Sequence, residues 1–165
     1  MPRFCSATVV LSFALACAGP PTSPPPGDIA ATYTNVGRLQ EASREIEVAI
    51  RTHPRDVSLR RQAVQIYTQT GRTDRAIRHL ESAIELTPQD ESLWIELADL
   101  ELDRENVADA YVAYRAAAKL EPTNLRAVSG LATTAEDLGF SEESRAARAR
   151  WAELERILGS MPANQ

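Results

Sequence analysis

ESLWIELADLELDRENVADAYVAYRAAAKLEP, Glu91 to Pro122, is the stretch that decides the fold. Trp94, Leu97 and Ala98 fall at helical spacing, and so do Ala110, Tyr114, Ala117 and Ala118 further on. Apolar residues recurring three and four positions apart mark one face of an α-helix, so the segment predicts two helices joined by a turn. Such a pair cannot bury both of its faces alone; stacking on a neighbour does that.

The neighbours are encoded at a fixed period. Pro54, Pro88 and Pro122 are 34 residues apart, as are Ala42, Ala76 and Ala110, and Ala49, Ala83 and Ala117. Asp56, Asp90 and Asn124 keep the same spacing, as do Tyr33 and Tyr67, and Gly37 and Gly71, with Gly139 three periods on from Gly37. Each ladder has a physical task in a helix-turn-helix unit. The Asp and Asn residues are N-cap types that accept hydrogen bonds from the orphan amides of a first helix, helix A. The glycines end helix A where a left-handed backbone is cheap only without a Cβ. The alanines of the second helix, helix B, let helix backbones approach closely, and the prolines forbid continuation of helix B.

Trp94-x-x-Leu97-Ala98 followed by Ala110, Tyr114, Ala117 and Pro122 resembles the tetratricopeptide repeat family, and Tyr67, Gly71, Ala76, Leu80, Ala83 and Pro88 repeat the pattern one unit earlier. The resemblance spans about residues 28–158, as units 28–56, 57–90, 91–124 and 125–158. It implies an all-α fold, a right-handed α-solenoid of about four repeats with a C-terminal capping helix. The first helix A is cut short by Pro24-Pro25-Pro26-Gly27, and unit three carries Glu101 where the family favours an aromatic and Glu105 where it favours glycine. The last unit has Ser144 and Arg148 at usually apolar positions, and its final helix keeps Ala147, Trp151, Leu154 and Leu158 as one stripe. Trp94 and Trp151 both read as core residues.

In the resembled family, helix A residues off the core stripe line a concave groove that receives a peptide or partner helix. By repeat position this groove comprises Arg61, Gln65 and Gln69 in unit two, Ile95, Asp99, Leu102 and Asp103 in unit three, and Ser129, Thr133 and Glu136 in unit four. Arg61 and Arg126 alone do not make the basic clamp with which some members hold a carboxylate terminus, and none is expected. Ile95 and Leu102, seven apart and flanked by Asp99 and Asp103, suggest a patch for an apolar side chain with basic neighbours; the competing reading is that both simply pack on the next repeat.

Composition narrows the rest. The formal charge of −5 lacks the basic stripe that nucleic acid requires, and the 17 arginines and one lysine lie among acids at helical spacings, as on a solvated face. His53 precedes a turn proline, and His79 sits on the outer side of a helix B with no patterned ligand beside it. Neither a metal site, a cofactor nor catalysis is expected. Glu96, Asp99 and Asp103 share a helical flank that reads as solvated acid rather than a cation site.

Residues 1–16, MPRFCSATVVLSFALA, carry Arg3 and then an apolar run too short to span a bilayer, which reads as a signal peptide. Ala14-Leu15-Ala16-Cys17 resembles the lipobox of bacterial lipoproteins, which implies lipid attachment at Cys17; Ala14-Leu15-Ala16 is also an ordinary cleavage site, and a non-lipidated exported protein is the alternative. Removing the leader removes Cys5, so no disulfide pair survives. Residues 17–27 then form a lipidated cysteine and a proline-rich tether with roughly 30 Å of reach, and residues 159–165 a disordered tail. Ala18 after the cysteine implies an outer-membrane lipoprotein facing the periplasm. The expected function is a protein-interaction adaptor in the cell envelope; a pilotin-like assembly factor for a pilus or secretion system is the second reading, and weak self-association through Ile29 and Tyr33 of the first repeat a third possibility.

Overall fold

The computed structural model describes residues 27–159. The signal peptide, Cys17, nearly all of the tether and residues 160–165 lie outside the described residues. Eight helices follow one another: α1 (Asp28–Asn35), α2 (Leu39–Thr52), α3 (Val57–Gln69), α4 (Thr73–Leu86), α5 (Glu91–Asp103), α6 (Val107–Leu120), α7 (Leu125–Asp137) and α8 (Ser141–Gly159). Each packs on the next in chain order, so odd-numbered A helices and even-numbered B helices stack as four repeats of an all-α solenoid.

Starts and stops follow local chemistry. Asp56, Asp90 and Asn124 accept backbone N–H bonds from Ser58 (2.9 Å), Ser92 (3.1 Å) and Arg126 (3.0 Å), capping α3, α5 and α7. Four A helices end in the same Schellman pattern. In α3 the Arg72 N–H bonds the Tyr67 carbonyl at 2.8 Å and the Gly71 N–H bonds that of Thr68 at 3.0 Å. In α5 the equivalent donors are Asn106 and Glu105, bonded to Glu101 and Leu102, each at 2.8 Å. Gly37, Gly71 and Gly139 supply the left-handed residue at φ 75, 69 and 79°, but in the third repeat Glu105 adopts it at φ 61°.

The core is one continuous band. Ala42, Ala76 and Ala110 are wholly buried, as are Leu59, Tyr67, Leu80 and Leu93. Trp94 and Leu97 pack on both the first two repeats and the last two, joining the halves. Where unit three lacks the aromatic, Glu101 is buried, and its Oε2 accepts from Asn106 Nδ2 at 3.1 Å and pairs with Arg104 at 3.3 Å. Ser144 is buried too; its hydroxyl donates to the Ala132 carbonyl at 3.0 Å, which offsets the cost of taking it out of water.

The end of the array departs from the expected stripe. Ala147 is buried and Leu154 packs on the core, but Trp151 is 37% and Leu158 50% exposed. Trp151 stands one period after Ala117, which α7's repeat covers; among the described residues nothing stacks over the last repeat, so the stripe runs into solvent. Trp94 is half-buried, with its indole N–H donated to the Pro88 carbonyl at 3.1 Å. Among the described residues no helix is long and apolar enough to cross a membrane.

Candidate partner-binding surface

The A helices α3, α5 and α7 place the expected groove residues along one side of the stack, and interrepeat bonds engage several of them. The Arg61 guanidinium donates to Asp90 Oδ2 at 2.8 Å and to the Ser92 hydroxyl, strapping α3 to the cap of α5. One repeat on, Arg126 donates to Asp99 Oδ2 at 2.7 Å while the Tyr114 hydroxyl donates to Asp99 Oδ1 at 2.6 Å. Burial, and then the bond to Asp99, push the Tyr114 phenol well above its usual range. Arg61 and Asp99 are thereby repeat fasteners first and partner contacts second.

Gln65, Gln69 and Asp103 are exposed, and Leu102 is 37% exposed. Ile95 is not part of that patch: it is buried at 7% among Ala98, Ala117, Ala127 and Val128, because α7 stacks over it. Helical position alone could not separate the two, since residues seven apart on one stripe drift by about 20° per heptad. Thr133 is exposed and Ser129 half-buried, and each hydroxyl donates to a carbonyl of its own helix at 3.1 Å. Glu136 is ion-paired with Arg148 of α8. Glu96, half-buried beside this face, has its carboxyl raised above the ordinary value by burial and by Asp90 and Asp99, against the opposing pull of Arg61.

Two clefts flank the surface. One of about 90 Å³ lies between α1 and α3, lined by Ala31, Thr34, Asn35, Gln62, Gln65 and Ile66. The buried Gln62 Oε1 has no hydrogen-bond partner among the described residues. The other, of about 390 Å³, opens between α7 and α8 and is lined by Ser129, Ala132, Thr133, Arg148, Trp151 and Ala152. Their counterparts one period earlier include Ile95, Ala98, Tyr114, Ala117 and Ala118, all buried under α7. The second cleft is therefore the open end of the stack.

His79 has a carboxylate partner that sequence reading missed. Its Nε2 lies 3.2 Å from Glu47 Oε1, and its ring stacks on Tyr67 with centroids 5.4 Å apart and planes 7° apart. The Tyr67 hydroxyl donates to the same Glu47 oxygen at 2.6 Å. Burial pulls the imidazole below its ordinary pKa despite Glu47. Burial pushes the Glu47 carboxyl up, but Tyr67, His79 and Arg75 together outweigh it and hold the group below the usual range. Glu47 and His79 are 32 residues apart, two short of the repeat period, and become adjacent only once helices B of successive repeats stack. No three His, Cys, Asp or Glu side chains among the described residues form a group that could hold a metal ion.

Residues 57–100 match the family model described as Tetratricopeptide repeat. No curated protein matches the chain. Solved structures of MamA are similar in fold. One described as the crystal structure of MamA is 17% identical with a TM-score of 0.70, covering 80% of this chain and 77% of that one. MamA from Desulfovibrio magneticus RS-1 is 14% identical with a TM-score of 0.65, covering 83% of this chain and 76% of that one. MamA of MSR-1 is 19% identical with a TM-score of 0.63, covering 78% and 74%.

Proposed function

We propose that this array of tetratricopeptide-type repeats is a non-catalytic adaptor of the bacterial cell envelope, holding a segment of a partner protein on its A-helix face and tethered to a membrane through Cys17. The observation that carries the binding part is Leu102. It is a large apolar side chain exposed on that face, with the exposed Asp103 beside it. Such a spot suits a partner side chain that is apolar and flanked by basic residues. Straps between repeats, Arg61 to Asp90 and Arg126 to Asp99, hold the face in one geometry, which lowers the ordering cost of binding. The tether part rests on the lipobox-like residues before Cys17 and on the proline-rich run after it.

Two measurements test the two parts. A photo-crosslinking side chain at Leu102 is expected to give a discrete adduct in cells, whereas the same group at Val112, exposed on α6, does not. Identical patterns from both positions would refute the groove. Intact mass of the protein recovered from membranes is expected to exceed that of the polypeptide by a diacylglycerol and an acyl chain, and Cys17→Ser is expected to abolish both the increment and membrane recovery. An unmodified mass makes it an exported adaptor without a lipid anchor, and leaves the groove test standing.

A further inference from the structure

A third cleft lies on the B-helix side of the first two repeats, away from the expected groove residues. It has a volume of about 320 Å³ and is walled by Arg44 and Arg51 of α2, Val48 between them, and Arg72 and Arg75 at the start of α4. Four arginines thus face one lining carboxylate, Glu47, in a protein whose formal net charge is −5.

The neighbouring acids are already engaged. Glu47 takes the Tyr67 hydroxyl and faces His79. Glu41 is bonded to Arg38 at 2.7 Å, and Asp74 pairs with Arg104 at 3.2 Å. Arg44 and Arg51 form no ion pair among the described residues. Arg72 reaches only the neutral Gln40 amide oxygen at 3.3 Å, and Arg75 lies over the Tyr67 ring, 5.5 Å from its centroid. Arg72 is also the N-cap residue of α4 and its side chain makes no cap bond. Four guanidinium groups around one carboxylate still repel one another on balance, and an incoming anion relieves that repulsion while gaining charge-assisted bonds.

The spacing selects the kind of anion. Arg44 and Arg51 are seven residues apart on one helix, about 10 Å along its axis, a spacing that suits two anionic groups held apart. Carboxylates two or three residues apart on an extended peptide are separated by roughly 7–10 Å. Val48, 45% exposed, sits one turn from each arginine and offers an apolar contact midway. We propose that this cleft docks an acidic segment of a partner protein, with carboxylates on either side of an apolar residue. The array then holds two binding faces of opposite charge, one on each set of helices.

The experiment uses the purified full chain and a fluorescein-labelled peptide Ac-EELEE-NH2, read by anisotropy at low and at physiological salt. Binding is expected, weakening with salt, and at least about tenfold weaker for Ac-QQLQQ-NH2. Arg44→Gln with Arg51→Gln is expected to weaken binding about tenfold or more, whereas the equal charge change Arg145→Gln with Arg156→Gln on α8 leaves it within about twofold. Val48→Asp, at an exposed position, is expected to weaken it as well. Circular dichroism confirms that each variant folds. The proposal is overturned by absent binding, by equal loss in both double variants, or by displacement of the peptide by inorganic phosphate well below the chloride concentration of equal effect.

Discussion

Glu105→Gly is expected to stabilise the protein, and the size of the gain can be worked from the turn that ends α5. Glu105 holds the left-handed position of a Schellman motif at φ 61°, where the other three repeats use glycine. Its side chain is exposed, so what the substitution changes is the backbone. A left-handed conformation costs a residue with a Cβ roughly 1–2 kcal/mol. Glycine returns part of this because its unfolded chain is freer, by about 0.5–1 kcal/mol. The net expectation is a gain of up to about 1 kcal/mol, a rise in Tm of roughly 2–4 °C for a chain of this size. The reverse change, Gly71→Glu, is expected to cost a similar amount, since a Cβ at Gly71 would meet nothing within 4 Å and only the backbone term remains. Urea unfolding followed by circular dichroism measures both, with Glu105→Ala as the control that removes the side chain and keeps the Cβ. A Glu105→Gly protein no more stable than Glu105→Ala would refute the reasoning.

Gly130→Ala is expected to act in the opposite sense to ordinary helix propensity. The new Cβ would lie 2.5 Å from the Tyr114 ring, so a loss of about 1–3 kcal/mol in thermal or urea unfolding replaces the usual gain. Asp90→Ala is expected to cost about 1–2 kcal/mol, more than Asp56→Ala, because Asp90 both caps α5 and receives Arg61; equal losses on urea unfolding would show that the strap adds nothing. Acidification is expected to weaken the fold through His79. Its folded pKa lies below the ordinary value of about 6.5. As pH falls through that value the unfolded chain takes up a proton that the folded one resists, and stability declines. Glu47, depressed in the fold, adds its loss only at lower pH, as pH falls through its own folded pKa. The urea midpoint measured from about pH 7 to 5.5 is expected to show a shallower slope in His79→Gln.

Much of the fold was legible from single residues recurring at one period. An N-cap such as Asp90 or a helix stop such as Pro88 acts within its own turn, and Ala76 needs only a neighbouring helix to be buried, so residue type and spacing carry that information by themselves. The site was less legible. Ile95 and Leu102 look alike on a helical wheel; one is buried and the other exposed because α7 reaches only the first. Trp151 repeats the position of Ala117, yet it is exposed because nothing described stacks beyond α8. The sequence alone therefore determined the repeat pattern, its N-caps and its helix stops, all consequences of local backbone chemistry, while the left-handed turn at Glu105 came from the structure. Only the packing of α2 against α3 and α4 decided that Glu47 meets Tyr67 and His79, and that Arg44 and Arg51 share a cleft with Arg72 and Arg75. Those contacts join residues one repeat apart, whose distance depends on how two rigid helix pairs pack.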